Sequence, residues 1–460
     1  MTESHGFEKG FEKAFEVPAE ALERGIEFAE KEEKTLISKK PFRLAEEYWD
    51  TLGPGLTTGA ADDDPSGIAT YSQAGARYGL QLIWFSLFTY PFMATVQEMC
   101  ARIGIVSGQG LAANIRRHYA ARTLYVVTLL LFFANALNIA ADLGAMSAAT
   151  RLLLPDMGFE LLVIVFALLS LGLQIFTTYA RYAKYLKYLT LALLSYVAVA
   201  FSVGLDWGDV LRHTLVPSMT FSKEQIFLIC GILGTTISPY LFFWQTSQEV
   251  EERILKGEST VEERRAQVSS QTIRRMRTDV WSGMLFSNLI TFFIFAATAG
   301  TLYAHGITNI ATADQAALAL KPFGEFAFLL FAAGIVGTGL LAVPVLAGST
   351  AYALSESFGW KNGLYHKLNQ AYAFYGVIII SMLIGIAANF AHFDPIQMLV
   401  YAAVANGVIA PVILFFVVRL SSNAHIMGEY VNRPFVSKLG WMTIGFMALS
   451  GIAAVATMFM

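Results

Sequence analysis

Charged side chains are scarce in this chain. Asp, Glu, Lys and Arg make up 15% of its 460 residues, whereas hydrophobic residues make up 55%. A soluble domain is about one-quarter charged, so this composition excludes a typical soluble globular protein. It predicts a polytopic α-helical membrane protein that lies in the lipid bilayer. The few basic residues form no stripe interleaved with aromatic side chains, which excludes a nucleic-acid-binding surface.

Cysteine and histidine are also rare, with two cysteines and seven histidines in the chain. Cys100 and Cys230 lie in separate apolar segments, and this spacing excludes a disulfide framework and a zinc site. No nucleophile stands beside a base in a catalytic pattern, so we expect neither an enzyme nor a bound cofactor. Residues 1–40 are polar and contain no apolar segment of the signal-peptide type.

Long apolar runs are what this sequence has in abundance. Each run exceeds the ~20 residues that cross ~30 Å of hydrocarbon. Lys and Arg concentrate in alternate loops, for example between Arg253 and Arg277. Because positive loops stay in the cytoplasm, we expect a multi-pass plasma-membrane protein (inner membrane in a bacterium) with a cytoplasmic N-terminus. The eleven predicted spans are about 45–76, 80–106, 122–150, 158–178, 183–205, 221–250, 277–304, 325–357, 367–390, 394–418 and 438–459.

Three consecutive carboxylates, Asp62, Asp63 and Asp64, interrupt the first span. A single Asp at the centre of a transmembrane helix costs roughly 2.5–3.5 kcal/mol. Pro65 follows directly and breaks the helix, because proline lacks a backbone N–H and clashes with the preceding turn. A segment that tolerates both costs is expected to bind a ligand with them, and a cation is the obvious one.

The sixth span is broken in a similar way. Its segment 231–240 contains Gly231, Gly234, Ser238 and Pro239 within an apolar run. Two broken helices five spans apart indicate an inverted repeat, with the substrate site where the two breaks face each other. We therefore expect a cytoplasmic leader (1–42), a first repeat (43–205), a second repeat (206–420, with a cytoplasmic loop at 251–276) and an additional eleventh span (421–460).

The two breaks offer carboxylate, hydroxyl and carbonyl oxygens, and they contain no sulfur or imidazole. Such hard donors suit Mg²⁺, Ca²⁺ or Mn²⁺. Mg²⁺ also loses its water reluctantly. We therefore predict a site in which one carboxylate coordinates the ion directly. Small neighbouring residues such as Ser66, Gly67 and Ser238 leave room for an ion that still carries water.

Several motifs resemble the Nramp family of divalent-metal transporters. Asp64-Pro65-Ser66-Gly67 stands where that family has Asp-Pro-Gly-Asn, and the segment 97–119 resembles its second helix and following loop. Ala141–Leu143, Ala347–Thr350 and Ile426–Asn432 match as well, and the similarity covers about residues 45–435. The resemblance implies an all-α membrane fold of eleven transmembrane helices, with a LeuT-like five-plus-five inverted repeat and broken helices 1 and 6.

The departures from the family pattern bear on the substrate. A methionine and two histidines of the family's span 6 are replaced by Ser238, Tyr240 and Gln245, and a glutamate of span 3 by Ala145. A soft thioether ligand is thus missing, and neither Tyr nor Gln titrates near pH 7 as His does. This pattern is similar to the Nramp-related magnesium transporters. It implies uptake of Mg²⁺, and of Mn²⁺ as well, by alternating access without proton coupling.

Carried over position by position, the resemblance implies a small set of metal ligands from the two breaks. Gln397, in span 10, matches a polar position that approaches this site when the outer gate closes. The implied ligands are the Asp64 carboxylate, the Ala61 carbonyl, Gly67, the Thr235 carbonyl and Ser238.

Four further polar residues are less certain members of the site. Asp62 and Asp63 have no counterpart in the family motif, so they can contact the metal, hold outer-shell water, attract cations or cap helix amides. Asn135 and Asn138 share one helix face with Asp142. They predict either hydrogen bonds between helices or an ion vestibule.

Two other functions stay open at this point. The first is a proton-coupled Mn²⁺/Fe²⁺ importer, as in the parent family. The second is a carrier of amino acids or other organic solutes on the same architecture, in which half-helix N-termini hold a substrate carboxylate. Three Asp residues at the break would repel that carboxylate. We expect a monomer whose substrate is a divalent metal ion.

Overall fold

A computed structural model describes residues 52–177, 194–310, 313–318, 326–391 and 394–459. Throughout these residues the chain is helical and contains no β-strand. The chain divides into two units, Met1–Gly53 and Pro54–Met460, and the second unit is the one described below. The predicted leader (1–42) and residues 183–193 of the predicted fifth span lie outside the described residues.

Long helices account for most of the predicted spans. By length and composition, eight helical segments of the described residues can cross a membrane, or up to nine if two helices that meet at a bend of 106° form one span. The number of eleven stays a prediction. The α-helices are α1 (Pro54–Asp62), α2 (Pro65–Tyr78), α3 (Trp84–Ser107), α4 (Leu111–His118), α5 (Ala121–Arg151), α6 (Phe159–Phe176), α7 (Leu194–Ser202), α8 (Trp207–Leu215), α9 (Lys223–Thr236), α10 (Pro239–Leu255), α11 (Val261–Ala266), α12 (Ser270–Thr301), α13 (Ala313–Ala317), α14 (Phe326–Phe358), α15 (Tyr372–Asn389), α16 (Pro395–Ser421), α17 (Ala424–Met427) and α18 (Pro434–Phe459).

The first predicted span is broken at the acidic motif. Helix α1 ends at Asp62, and α2 begins at Pro65. Proline is well placed at the first position of a helix, where no intrahelical N–H is needed. Asp64 occupies the N-cap, and its side chain accepts a hydrogen bond from the backbone amide of Gly67. The motif therefore ends one helix and starts the next, as predicted.

The sixth predicted span is broken as well, and its break contacts the first. Helix α9 ends at Thr236, and α10 begins at Pro239. The Tyr240 hydroxyl of α10 donates a hydrogen bond to the Ala61 carbonyl of α1, over 2.7 Å. The hydroxyls of Tyr71 (α2) and Thr236 lie 2.9 Å apart. The two breaks thus face each other, which confirms the prediction from their spacing.

Helix α1 packs against α12 with backbone on backbone. A Cβ atom at Gly59 would lie 2.3 Å from the carbonyl oxygen of Gly283, and one at Gly283 would lie 2.2 Å from that of Gly55. Only glycine fits such an approach. The carboxylate of Asp279 accepts hydrogen bonds from the amides of Gly55 (2.7 Å) and Leu56 (3.1 Å) at the start of α1. This packing places the next turns of α12 beside the first break.

Large apolar side chains cover the outside of several helices. Leu449 and Ile452 of α18 are 69% and 71% exposed, and Leu168 of α6 is 60% exposed. Water would make such a surface unfavourable, whereas lipid hydrocarbon accepts it. The pattern agrees with the membrane location that the composition predicts.

Candidate metal-ion site

Asp64 lies where the two breaks meet, and its side chain is buried. Its Oδ1 accepts hydrogen bonds from the Ser66 hydroxyl at 2.6 Å and from the Gly67 amide at 2.8 Å. Its Oδ2 accepts a longer bond, 3.5 Å, from the Tyr240 hydroxyl. A negative charge is favourable at the N-terminus of a helix such as α2. Oδ2, whose one hydrogen bond is long, is the oxygen most available to a cation.

The break in the sixth span contributes neutral oxygens opposite Asp64. The Ser238 hydroxyl donates to the Thr235 carbonyl at 2.7 Å and also lies 3.0 Å from the Gly234 carbonyl. The hydroxyl oxygens of Thr235 and Ser66 lie 3.5 Å apart across the two breaks. The structure therefore brings the Thr235 side chain beside the first break, whereas the hydrogen bonds of Ser238 stay within its own segment. The Ser238 hydroxyl proton is already used within its own segment.

Tyr240 belongs to this group, although the sequence analysis did not count it as a site residue. Its hydroxyl donates to Ala61, so the expected carbonyl ligand Ala61 is already hydrogen-bonded in this structure. The same hydroxyl reaches Asp64. Its position directly after Pro239, where the broken helix resumes, could have identified it as a site residue from the sequence. A buried Tyr hydroxyl that touches both candidate ligands can control whether an ion reaches them.

Gly67 supplies room and an amide rather than an oxygen. A Cβ atom at this position would lie 3.1 Å from the Thr235 hydroxyl and 3.3 Å from the Tyr71 ring. Any larger side chain would therefore push into the space between the breaks. The Gly67 amide itself bonds to Asp64. The structure thus gives Gly67 a role as spacer and as holder of the carboxylate.

Asp62 and Asp63 are buried but face a different helix from Asp64. The Ser287 hydroxyl of α12 lies 2.9 Å from Oδ2 of Asp62 and 3.2 Å from Oδ1 of Asp63. The Thr291 hydroxyl lies 3.4 Å from the same oxygen of Asp63. Neither carboxylate bonds to α9 or α10 among the described residues. The three acidic residues therefore do not converge on one point.

The two asparagines of α5 have different surroundings. The side-chain amide of Asn135 donates to α14, at the Leu346 carbonyl (3.1 Å) and the hydroxyls of Ser349 (2.9 Å) and Thr350 (2.8 Å). Asn135 thus makes the helix–helix hydrogen bonds that were one of its two expected roles. Asn138 is buried, and within the described part of the chain neither of its polar atoms has a partner. The same is true of both carboxylate oxygens of Asp142.

Gln397 does not join the group around Asp64. It is exposed and lines an open cavity of about 410 Å³ together with Gln73, Arg77, Lys223 and Glu224. These residues come from the last turns of α2 and the first turns of α9 and α16. The expected approach of Gln397 to the metal site is therefore not seen in this arrangement of the helices.

A polar network joins α3 to the first turns of α12. The loop charges predict that this end of α12 is cytoplasmic. Arg277 bonds to the Glu98 carboxylate at 2.8 and 3.0 Å, and the Trp281 indole donates to its other oxygen at 2.7 Å. Arg102 lies 3.6 Å from the same carboxylate. Glu98 and Arg102 thus belong to one structural cluster with Arg277 and Trp281.

No three His, Cys, Asp or Glu side chains come together to hold a metal ion within the ranges that the structure describes. A cation at the meeting of the breaks would have one carboxylate, Asp64, and otherwise neutral oxygens. Such a donor set is hard and only partly compensates a divalent charge. It suits a cation that keeps part of its water shell.

The chain is similar in sequence to known transporters. The Nramp family model, described as natural resistance-associated macrophage protein-like, matches residues 55–457. A protein of Klebsiella pneumoniae subsp. pneumoniae named divalent metal cation transporter MntH is 26% identical over 407 residues, which cover 85% of this chain and 90% of the relative. A protein of the same name from Erwinia tasmaniensis is 26% identical over 437 residues, which cover 92% and 97%.

Solved structures give the same fold. The manganese transporter of Eremococcus coleocola, in complex with an aromatic bis-isothiourea substituted compound, has a TM-score of 0.69 at 16% identity and covers 90% of this chain and 88% of its own. Mhp1, a nucleobase-cation-symport-1 family transporter, has a TM-score of 0.54 at 14% identity, with 88% and 91% covered. These likenesses confirm the predicted fold class, an all-α membrane protein of LeuT-like architecture.

Proposed function

The chain belongs to the Nramp family, and from that premise we propose that it is a membrane transporter of divalent metal ions that prefers Mg²⁺. We further propose that it works by alternating access without proton coupling. Relatives named divalent metal cation transporters support the metal-transport part. The preference for Mg²⁺ and the absence of coupling rest on the residues at the two breaks.

The observation that carries the proposal is the buried Asp64 carboxylate between the breaks. Ser66 and Gly67 hold one of its oxygens and leave the other for an ion. In our proposal Asp64 binds the ion directly. The Ala61 carbonyl, Gly67, the Thr235 carbonyl and Ser238 surround its remaining water. A single carboxylate with neutral oxygens favours an ion that dehydrates reluctantly, as Mg²⁺ does.

Mn²⁺ is the second candidate substrate, because the solved relative from Eremococcus coleocola is a manganese transporter. Oxygen sites bind most first-row transition metals more tightly than Mg²⁺, so geometry and ligand type must provide any preference. A thioether ligand would favour the softer ion. Ser238 offers a hydroxyl instead, and the Met93 sulfur of α3 accepts a hydrogen bond from the Asn288 amide.

The absence of proton coupling is proposed from the groups that line α10. Tyr240 and Gln245 cannot exchange a proton near neutral pH as histidine does. The Gln245 side chain donates to Glu249 at 2.9 Å and is buried. Asp142 is buried and is the one carboxyl of α5, so a test of coupling has to include an Asp142→Asn variant.

Alternating access would use the two repeats, 43–205 and 206–420, as the moving parts. The cavity beside Gln397 lies at the ends of α2, α9 and α16 that the loop charges predict to be outside. The network around Glu98 closes the predicted cytoplasmic side. We propose that ions enter through this cavity and that Gln397 approaches Asp64 when the cavity closes.

Metal competition in proteoliposomes tests the proposal. Purified full-length protein is reconstituted, and Mg²⁺ entry is followed with an internal dye while Mn²⁺ is added outside. We expect Mg²⁺ to enter and external Mn²⁺ to inhibit this entry. In Asp64→Ala we expect no Mg²⁺ entry and therefore no inhibition by Mn²⁺. Mn²⁺ uptake without any Mg²⁺ uptake would replace the proposal with the Mn²⁺ alternative. Transport unchanged in Asp64→Ala would remove Asp64 from the site.

A further inference from the structure

Asp62 and Asp63 form a separate acidic pair on the α12 side of the first break. Ser287 of α12 bonds to both carboxylates, at 2.9 and 3.2 Å, and Thr291 reaches Asp63 at 3.4 Å. Ser287 and Thr291 lie four residues apart on one face of α12. This face is fixed against α1, because Gly59 and Gly283 touch through their backbones. Both sides of the pair are therefore held in place.

Each of the two carboxylates keeps one oxygen without a partner. Oδ1 of Asp62 and Oδ2 of Asp63 are buried, and neither forms a hydrogen bond with any residue that the structure describes. Both side chains are fully buried, with 0% exposure. Leaving a charged oxygen unpaired in a low-dielectric interior is costly, so buried acids normally carry a proton, pair with a base or bind a metal. These two oxygens are free for a ligand.

Among the described residues, neither the local backbone nor a basic side chain balances this charge. Asp62 is the last residue of α1, and the C-terminal end of a helix disfavours negative charge. Asp64 differs, because it caps the N-terminus of α2. Within the described residues, no ion pair involves either Asp62 or Asp63.

We propose that Asp62, Asp63, Ser287 and Thr291 form a second cation site, distinct from the Asp64 site, that binds a hard divalent ion such as Mg²⁺. The donors are two carboxylates and two hydroxyls, and oxygen ligands of this kind suit Mg²⁺ or Ca²⁺. One divalent ion neutralises both carboxylates. The choice of Mg²⁺ as probe follows the proposed function, but the site itself does not depend on transport. An ion bound here joins the end of α1 to α12.

Calorimetric titration of the purified full-length protein with Mg²⁺ tests the site. We expect two Mg²⁺ per protein in the wild type, one in Asp62→Asn/Asp63→Asn and one in Asp64→Asn. Ser287→Ala should weaken the Asp62-dependent step by about tenfold, the value of one bond to a charged group. Ser357→Ala is the matched control, because Ser357 is a buried serine that bonds only to the Ala353 carbonyl of its own helix. It should change neither step.

Several results would overturn the second site. A single wild-type Mg²⁺ that is lost in Asp64→Asn would do so, as would two Mg²⁺ in Asp62→Asn/Asp63→Asn. An Asp62-dependent step that appears with Na⁺ and not with Mg²⁺ would show a monovalent site instead. If the double variant does not fold, the Mg²⁺ stoichiometry of the wild type and the Mg²⁺ affinity of Ser287→Ala still show whether the second site exists. A single wild-type Mg²⁺ that is lost in Asp62→Asn/Asp63→Asn but kept in Asp64→Asn would contradict the proposed function. The second site would then still stand.

Discussion

In the proposed site, Asp64 combines two roles in one side chain. Its Oδ1 caps α2 through Gly67 and bonds to Ser66, while Oδ2 is the oxygen most available to a cation. Capping holds the carboxylate at the break before any ion arrives. Binding an ion then requires little further ordering of this ligand, which favours affinity.

Replacing Asp64 with Asn separates these roles. Asn caps a helix about as well as Asp, so we expect the melting temperature of the variant to stay close to that of the wild type. The charge is lost, so Mg²⁺ uptake should fall by at least roughly tenfold, since bonds to a charged group contribute about 1.5–3 kcal/mol. Proteoliposome uptake measures the effect. Asp209→Asn, in an exposed turn of α8, should transport normally; equal activity of the two variants would contradict the assignment.

Ser238→Met introduces a thioether at the second break. Because sulfur prefers softer ions, we expect the affinity for Mn²⁺ and Cd²⁺ to rise relative to that for Mg²⁺. Calorimetry with each metal measures the ratio. Ser238→Ala is the matched control, since it removes the hydroxyl without adding sulfur. An unchanged ratio in Ser238→Met would count against the argument from ligand softness.

Tyr240→Phe removes the hydroxyl that covers Ala61 and reaches Asp64. The Ala61 carbonyl and Oδ2 of Asp64 then become available to an ion together. We expect Mg²⁺ to bind severalfold more tightly, as measured by calorimetry. Weaker binding would mean that the Tyr240 hydroxyl is itself a ligand.

The sequence predicted part of this site and missed the rest for physical reasons. Asp64 and Ser238 were predicted because proline and small polar residues mark the breaks. The direction of Asp62 and Asp63 was not predictable, since a break ends the regular rotation of side chains around a helix. The contact from Tyr240 to Ala61 depends on a rotamer and on the packing of two distant segments.

At the scale of elements, the contact between α1 and α12 fixes the first break. Gly59→Ala would place a Cβ atom 2.3 Å from the Gly283 carbonyl, so one helix must move. Overpacking of this kind costs about 1–3 kcal/mol, and we expect a lower melting temperature and weaker Mg²⁺ binding. Gly376→Ala in α15, where a Cβ meets nothing within 4 Å, should not lower the melting temperature. A stable, fully active Gly59→Ala would contradict the close packing.

The breaks themselves were predictable at this scale, because Pro65 and Pro239 each stand at the first position of a helix. The partners of each helix were not predictable. Gly283, Ser287 and Thr291 recur every four residues along α12, but small and polar residues on one face do not say which neighbour they meet. The sharp bend between α2 and α3 likewise leaves no simple pattern in an apolar sequence.

At the scale of the whole molecule, a cavity and a polar network lie toward opposite ends of the helices. An open cavity lies beside Gln397, at the ends of α2, α9 and α16. At the opposite end, Glu98 bonds to Arg277 and Trp281 and joins α3 to α12. Alternating access requires that one end is open while the other is closed. We propose that Mg²⁺ crosses the membrane through this arrangement without a proton.

Simultaneous recording of Mg²⁺ and pH inside the same proteoliposomes tests whether Mg²⁺ crosses without a proton. An inward Mg²⁺ gradient is applied at equal internal and external pH, with a potassium ionophore to clamp the voltage. We predict Mg²⁺ entry that depends on Asp64 and leaves the internal pH unchanged, in the wild type and in Asp142→Asn alike. Internal acidification that rises in step with metal entry, and that Asp142→Asn abolishes, would contradict the account.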